Sequence, residues 1–339
     1  MVTRVVLPYG AGKPRRWIAP RRWRPPAASD RGPTGTFVVA RRLATGGHGP
    51  EDVMFDASGA AVTGTGDGRL LRLGPAGSHT VVADTGGRPL GVQPCPDGSV
   101  LVCDHDRGLL RVAADGTVEV LVDTVDGSPL TFASNVVQGR DGTIWFTTST
   151  TRWDLEHHLG DMFEHTSTGR LIRRDVDGAV TTLLRDLKFA NGLVLAPEGS
   201  HLLFAETAGY RISRYWPDGR VEPFVENLPG FPDNMSLGSD GLLWVAIAAP
   251  ATRCSTASCP CRASCASWPG TCPRRCGPRR PRSRGSWPSR STAASSTTCA
   301  PPTAPTASSH PSPNTPAPSS PAASPPPTSP SSTSRPPGS

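Results

Sequence analysis

The sequence predicts an all-β propeller flanked by unstructured ends, and three observations carry that prediction. Short apolar strands recur in units joined by Gly-containing hairpin turns. The same kind of polar turn stands at the head of each unit, which a β-sandwich would have no reason to repeat. Past about residue 250 the composition changes so abruptly that a folded block must end there.

The units follow one another in order. The first runs from Pro50-Glu-Asp-Val-Met-Phe-Asp-Ala-Ser-Gly59 to Ala60-Ala-Val-Thr63 and Gly68-Arg-Leu-Leu-Arg-Leu73. The second is Pro89-Leu-Gly-Val, Pro96-Asp-Gly-Ser-Val-Leu-Val-Cys103 and Gly108-Leu-Leu-Arg-Val112. The third starts at Ser134-Asn-Val-Val, passes through Asp141-Gly-Thr-Ile-Trp-Phe-Thr147, and reaches Gly169-Arg-Leu-Ile172 only after a long insertion. The fourth comprises Ala190-Asn-Gly-Leu-Val-Leu, His201-Leu-Leu-Phe-Ala205 and Tyr210-Arg-Ile-Ser-Arg-Tyr215. A Pro-Asp-Asn turn ending at Asn234 opens a fifth, whose strand passes through an Asp240-Gly241 hairpin. About four to five blades are therefore legible, each of three or four strands.

Charge separates the chain into the same parts. Residues 37–250 hold 17 Lys+Arg against 27 Asp+Glu, a net −10, whereas the two ends together carry +17 and produce the overall +7. A basic chain ordinarily points to nucleic acid or an acidic membrane surface. Here the excess belongs to the ends, so no specific nucleic-acid partner is expected. Residues 1–36 form a basic, Pro-rich arm with Arg15-Arg16-Trp17 and Arg21-Arg22-Trp23-Arg24 but no apolar run long enough for a signal core or a membrane span. The arm reads either as a tail of a cytoplasmic protein or as sequence upstream of the true start. Cys95 and Cys103 read as packed thiols rather than a disulfide.

The unit heads carry the chemistry. Glu51, Asn135, Asn191 and Asp233 each fall where an innermost strand begins, at the end that faces the central channel of a propeller. Two acids and two amides converging on one axis make an all-oxygen site, suited to calcium, magnesium or manganese rather than zinc. Asn and Asp are also favoured in turns generally, so spacing alone leaves the metal site and the ordinary turn both open.

Several motifs resemble one family. Gly49-Pro-Glu-Asp-Val53, Gly87-Arg-Pro-Leu-Gly91, Phe146-Thr-Thr-Ser149, Phe189-Ala-Asn-Gly192, Arg211-Ile-Ser-Arg-Tyr-Trp216 and Leu228-Pro-Gly-Phe-Pro-Asp-Asn234 are similar to the strictosidine synthase-like family. That family groups with the gluconolactonases, regucalcin and the paraoxonases in a superfamily of six-bladed, calcium-dependent propellers. The resemblance spans residues 37–250 and implies that Glu51, Asn135, Asn191 and Asp233 hold a Ca2+ or another hard divalent ion, with Asn234 as an additional ligand. It also implies that Asp233 acts as the catalytic base, and it points to a small ester or lactone as substrate. Leu90 stands where paraoxonases carry a shuttle histidine, so a histidine pair is not expected. His105 lies near the position of the second member of that pair and is expected to be a channel or turn residue. Trp153 and His157, with His158 and His165 on the third-unit insertion, either shape a substrate lid or belong to a solvated loop. The protein is expected to be a monomer.

Residues 251–339 contain seven of the nine cysteines, no acidic residue, and long Ser/Thr/Ala/Pro runs. Taken literally this is a disordered tail, since such a composition buries too little apolar surface to offset chain entropy. Cys254, Cys259, Cys261, Cys265, Cys272 and Cys276 lack a paired C-x2-C spacing, which argues against zinc. A frameshift explains more. Read one base earlier, residues 314–334 become E-H-A-G-T-L-V-A-G-S-L-T-A-P-D-V-A-V-L-D-L, the turn and strand rhythm of another blade. In that frame a Thr-like codon from His310 occupies the place where plant strictosidine synthases use a glutamate, which disfavours a carbon–nitrogen lyase. The expected activity is metal-dependent ester or lactone hydrolysis, with a lyase or a non-enzymatic binding scaffold as alternatives. The chain as written is expected to be inactive, because an unclosed ring leaves strand edges exposed.

Overall fold

The structure, a computed structural model, describes residues 38–250 together with 5–6, 17–21 and 35. Expectations for the basic arm, the cysteine-rich tail and the shifted frame lie outside these residues, apart from the pieces of the arm just named.

Two short N-terminal strands, β1 (Val5–Val6) and β2 (Trp17–Ile18), pair antiparallel. The first blade is the meander β3 (Val53–Phe55), β4 (Ala61–Gly64), β5 (Arg69–Leu73) and β6 (His79–Asp84). The second is β7 (Pro89–Pro94), β8 (Val100–Asp104), β9 (Gly108–Val112) and β10 (Val118–Val122), followed by a small hairpin of β11 (Thr124–Val125) and β12 (Ser128–Pro129). The third contains β13 (Ala133–Gln138), β14 (Ile144–Thr148), β15 (Gly169–Arg174) and β16 (Val180–Leu187). The fourth is β17 (Ala190–Leu195), β18 (Leu202–Glu206), β19 (Arg211–Tyr215) and β20 (Val221–Val225). Last come β21 (Gly230–Leu237) and β22 (Leu243–Pro250), a two-stranded sheet. The fold is thus an all-β propeller, with four four-stranded blades and part of a fifth among the described residues.

The Asp-Gly pairs make these meanders possible. At Asp97-Gly98, the Gly98 N–H donates to Cys95 O at 3.0 Å and the Asp97 carboxylate accepts the Ser99 N–H at 3.0 Å. Gly98 sits at φ 83°, where a Cβ would be strained. Asp141-Gly142 repeats the arrangement in the third blade, with Gly142 at φ 87° and the Asp141 carboxylate accepting the Thr143 N–H at 3.0 Å.

The core lies in the seams between consecutive blades. Val62 and Leu70 of the first pack on Val92, Val102 and Leu110 of the second. Leu101, Cys103 and Leu109 then meet Val136, Ile144 and Phe146, with Cys95 and Cys103 both buried free thiols. Leu171 and Leu187 meet Leu193 and Phe204, and Val194 and Ala205 meet Met235. The first and fifth sheets show a different surface. Phe55 is 72% exposed and Trp244 55%, and Val53 and Ile247 are exposed as well.

Two local expectations are corrected. Pro232, Asp233 and Asn234 do not form a turn; they lie inside β21, where pairing with β22 shifts register between Pro232 and Met235. That irregularity is a bulge, which re-aims side chains without ending the strand. The third-unit insertion is not a solvated loop. It forms a 3-10 turn at Leu155–His157, capped by Asp154, and the helix α1 (Leu159–Glu164). Leu155 and Met162 pack on Leu90, Phe132 and Phe189, at or next to the starts of inner strands, and on Ala208 in the turn after β18, so apolar burial holds the insertion down.

Candidate functional site

Each inner strand delivers its first residues to the axis. Gly91 and Gly192 are what allow the backbones to approach there. A Cβ on Gly91 would meet Ser134 O, and one on Gly192 would come within 2.4 Å of Asp233 O and 2.8 Å of Met235 N. The predicted residues Glu51, Asn135, Asn191, Asp233 and Asn234 come together at this place. Asn191 donates from Nδ2 to Asp233 Oδ1, and its own Oδ1 accepts the Ser134 hydroxyl at 3.0 Å. Asn135 Nδ2 reaches Asn234 Oδ1 at 3.3 Å, and Asn234 Nδ2 donates to Glu51 O at 3.1 Å. Thr147 braces the amides from behind, accepting the Asn135 N–H at 3.2 Å and donating to Asn191 O at 2.8 Å.

Asp52 belongs to this group, although the sequence reading passed over it. Its Oδ2 accepts the Val92 N–H at 3.0 Å and Asn135 Nδ2 at 3.4 Å, while its Oδ1 takes the Val53 N–H at 2.8 Å. Its signal in the sequence is adjacency to Glu51 in an acidic pair, of which the unit pattern requires only one.

Three carboxyl groups thus share a shielded space. Burial, reinforced by the charges of Asp233 and Asp52, pushes the Glu51 carboxyl up to about 8. Burial raises Asp52 to about 6 against its backbone hydrogen bonds. Burial also raises Asp233, opposed by the hydrogen bond from Asn191 and by nearby His158. Glu51 Oε2 is closed off from solvent and has no hydrogen-bond partner. Such an orphaned acceptor, beside other oxygen donors, fits a hard cation better than it fits a packed core. Among the described residues no three His, Cys, Asp or Glu side chains are arranged to hold a metal, so an ion here would draw on amide oxygens as well. A cavity of about 530 Å3 runs along the inner strands, with Asp52 and Asn135 at one end and the turns at Gln138–Asp141 and Pro197–Gly199 at the other.

His105, Trp153 and His157, the weaker site expectations, lie in and around the third-unit insertion. His105 stands edge-on to Phe132, ring centroids 4.8 Å apart, and its Nε2 accepts the Leu155 N–H at 3.3 Å, which ties the insertion to the second blade. His157 is buried and bonds Asp154. Trp153 is buried in a cluster with Ile18 and Phe163, on the side of the insertion that meets β2.

Known proteins share this framework. The strictosidine synthase family model matches residues 135–220, and the strictosidine synthase-like N-terminal model matches residues 39–73. The chain belongs to the strictosidine synthase-like superfamily. It is 38% identical to protein STRICTOSIDINE SYNTHASE-LIKE 6 of Arabidopsis thaliana over 66% of this chain and 62% of that one. Its identity to the adipocyte plasma membrane-associated protein of Rattus norvegicus is 35%, over 59% of each chain. It therefore spans about 60% of the length of these curated relatives. Among solved structures, a putative gluconolactonase aligns with a TM-score of 0.50 at 23% identity, covering 61% of this chain and 74% of that one. That likeness concerns the propeller fold. No helix among the described residues is long and apolar enough to cross a membrane.

Proposed function

We propose that this propeller is built for metal-dependent hydrolysis of small esters or lactones. The observation that carries the proposal is Glu51 Oε2, buried and unpartnered at the axis beside Asp233, Asp52 and the amides of Asn135 and Asn191. Glu51, Asp233 and Asn191 would be the principal holders of a divalent ion such as Ca2+. When bound, such an ion polarises an ester carbonyl and acidifies a water.

The remaining chemistry belongs to the chain. Asp233 is the candidate base: burial raises its proton affinity, and the Asn191 hydrogen bond to Oδ1 leaves Oδ2 to accept a proton from an attacking water. Leu90, Phe132 and Phe189, with the insertion packed over them, close the strand-start end to bulk water and give the site an apolar wall. Val53, Phe55, Trp244 and Ile247 are exposed on the first and fifth sheets among the described residues, which supports the view that further strands, those the shifted frame would encode, complete the enclosure.

The test uses protein expressed from a gene in which the frame after codon 250 is restored, assayed against aliphatic lactones and aryl esters. Turnover that EDTA abolishes and that Asp233→Ala lowers by two or more orders of magnitude is expected. Turnover indifferent to both would sink the proposal.

A further inference from the structure

We propose that Asn234 is a positioning residue, a latch that ties the fifth blade to the first across the channel, and that it serves this role in place of metal ligation. The hydrogen-bonding groups around it determine its orientation. Leu193 offers a backbone N–H to Asn135 at 3.1 Å, so the atom of Asn135 that faces it must be the oxygen. Asn135 Nδ2 therefore points the other way, toward Asp52 Oδ2 at 3.4 Å and Asn234 at 3.3 Å. Asn234 must answer a donor with Oδ1, which leaves Nδ2 for the Glu51 carbonyl at 3.1 Å. Both polar ends of Asn234 are committed to protein partners, and exchanging them would set donor against donor and acceptor against acceptor.

The consequence reaches all five blades. Asp52 belongs to the first, Val92 to the second, Asn135 to the third, Leu193 to the fourth and Asn234 to the fifth, and one connected set of hydrogen bonds joins them. Asn234 contributes the link between residues 183 positions apart, from β21 back to the head of the first blade. By holding the Glu51 backbone it sets where the Glu51 carboxyl stands relative to Asp233. Asp52 is the matching anchor at the other end of the network, with both oxygens engaged.

A ligand and a latch respond oppositely to one substitution. Asn234→Asp exchanges an amide for a carboxylate, a better ligand for a hard cation but no donor to a carbonyl. The experiment compares Ca2+ affinity by calorimetry for the full chain, Asn234→Asp and Asn234→Ala. Expected is a loss of roughly tenfold or more in Asn234→Asp, at least as large as that in Asn234→Ala. Tighter or unchanged Ca2+ binding in Asn234→Asp, with weakening in Asn234→Ala, would overturn the latch.

The affinity arm rests on the metal reading; a second arm does not. In metal-free protein the Asn234 side-chain amide, followed by NMR hydrogen exchange, should exchange at least tenfold more slowly than an exposed asparagine amide. Addition of Ca2+ should leave it protected. Exchange at the exposed rate would refute the latch even if the unaltered chain binds no Ca2+, an outcome that would itself count only against the proposed function.

Discussion

Raising pH should destabilise the metal-free protein through Glu51. The carboxyl titrates near 4.5 when unfolded and at about 8 when folded, so between these values the native state holds a proton that the unfolded state has released. Stability then falls as pH rises, by up to about 1.4 kcal/mol per pH unit for one proton. Asp52 acts in the same direction, but only up to about 6. His165 opposes it: burial, then the charges of Lys188 and Arg21, lower it from 6.5 to about 4, so its contribution grows with pH up to its unfolded value. Asp161, raised to about 6, and Asp233, also raised by burial, act in the same direction as Glu51, so the Glu51 contribution between pH 6.5 and 8 is read from the comparison with Glu51→Gln. A two-state proton balance over that interval amounts to a loss of about 1.6 kcal/mol, which is about 3–6 °C in Tm for a folded block of this size. Thermal melts in EDTA, followed by tryptophan fluorescence, would measure it for the unaltered chain and for Glu51→Gln, whose amide cannot ionise. The difference between the two curves should shrink with pH in the direction given. A flat difference, or a wild-type Tm that rises across the interval relative to Glu51→Gln, would refute the assignment of a buried, charge-crowded carboxyl to this position.

Three further outcomes follow from the packing. Gly192→Ala forces a Cβ to within 2.4 Å of the Asp233 carbonyl, a backbone atom that cannot swing aside, so it should cost about 1–3 kcal/mol in urea unfolding and displace Asp233; an unchanged urea midpoint would contradict this. Asp104 is buried and takes three backbone N–H groups, from Arg88, Asp106 and Arg107, plus the Thr85 hydroxyl at 2.8 Å. Asp104→Ala should therefore cost about 3 kcal/mol or more, and a loss below about 1 kcal/mol would contradict its role as a hub. The paired change Phe55→Thr and Trp244→Thr should raise the monomeric fraction in sedimentation, since it removes the two largest exposed apolar groups from the first and fifth sheets; no change would show that these surfaces do not drive association.

Much of the fold was legible because a propeller is a local repeat. Each hairpin is specified by its own Asp-Gly turn and its own alternation of apolar residues, so the inner strands starting at Pro89, Ala133 and Ala190 could be placed without long-range information. Glu51, Asn135, Asn191 and Asp233 stood out as residues at the heads of the units, but their spacing fitted an ordinary turn as well as a site, and the family resemblance was what pointed to the site. Pro232–Asn234 was misplaced because Pro-Asp-Asn has turn chemistry, and only pairing with β22 keeps it in a strand. The insertion was misjudged because its helix is short, and the apolar surface that holds it comes largely from the second and fourth blades, through Leu90, Phe189 and Ala208.

What the sequence by itself determined is the set of building blocks: the order of the blades, the turn glycines, and the acids and amides that each inner strand brings to its head. What only the tertiary structure decided is how those groups face one another. The Asp52 carboxylate has three partners because three blades meet around it, Asn234 closes on Glu51 across 183 residues, and Glu51 holds its proton because burial and two neighbouring carboxylates oppose its charge. Hydrogen-bond direction and desolvation depend on the arrangement of atoms distant in the chain, and no local pattern of residues contains that arrangement.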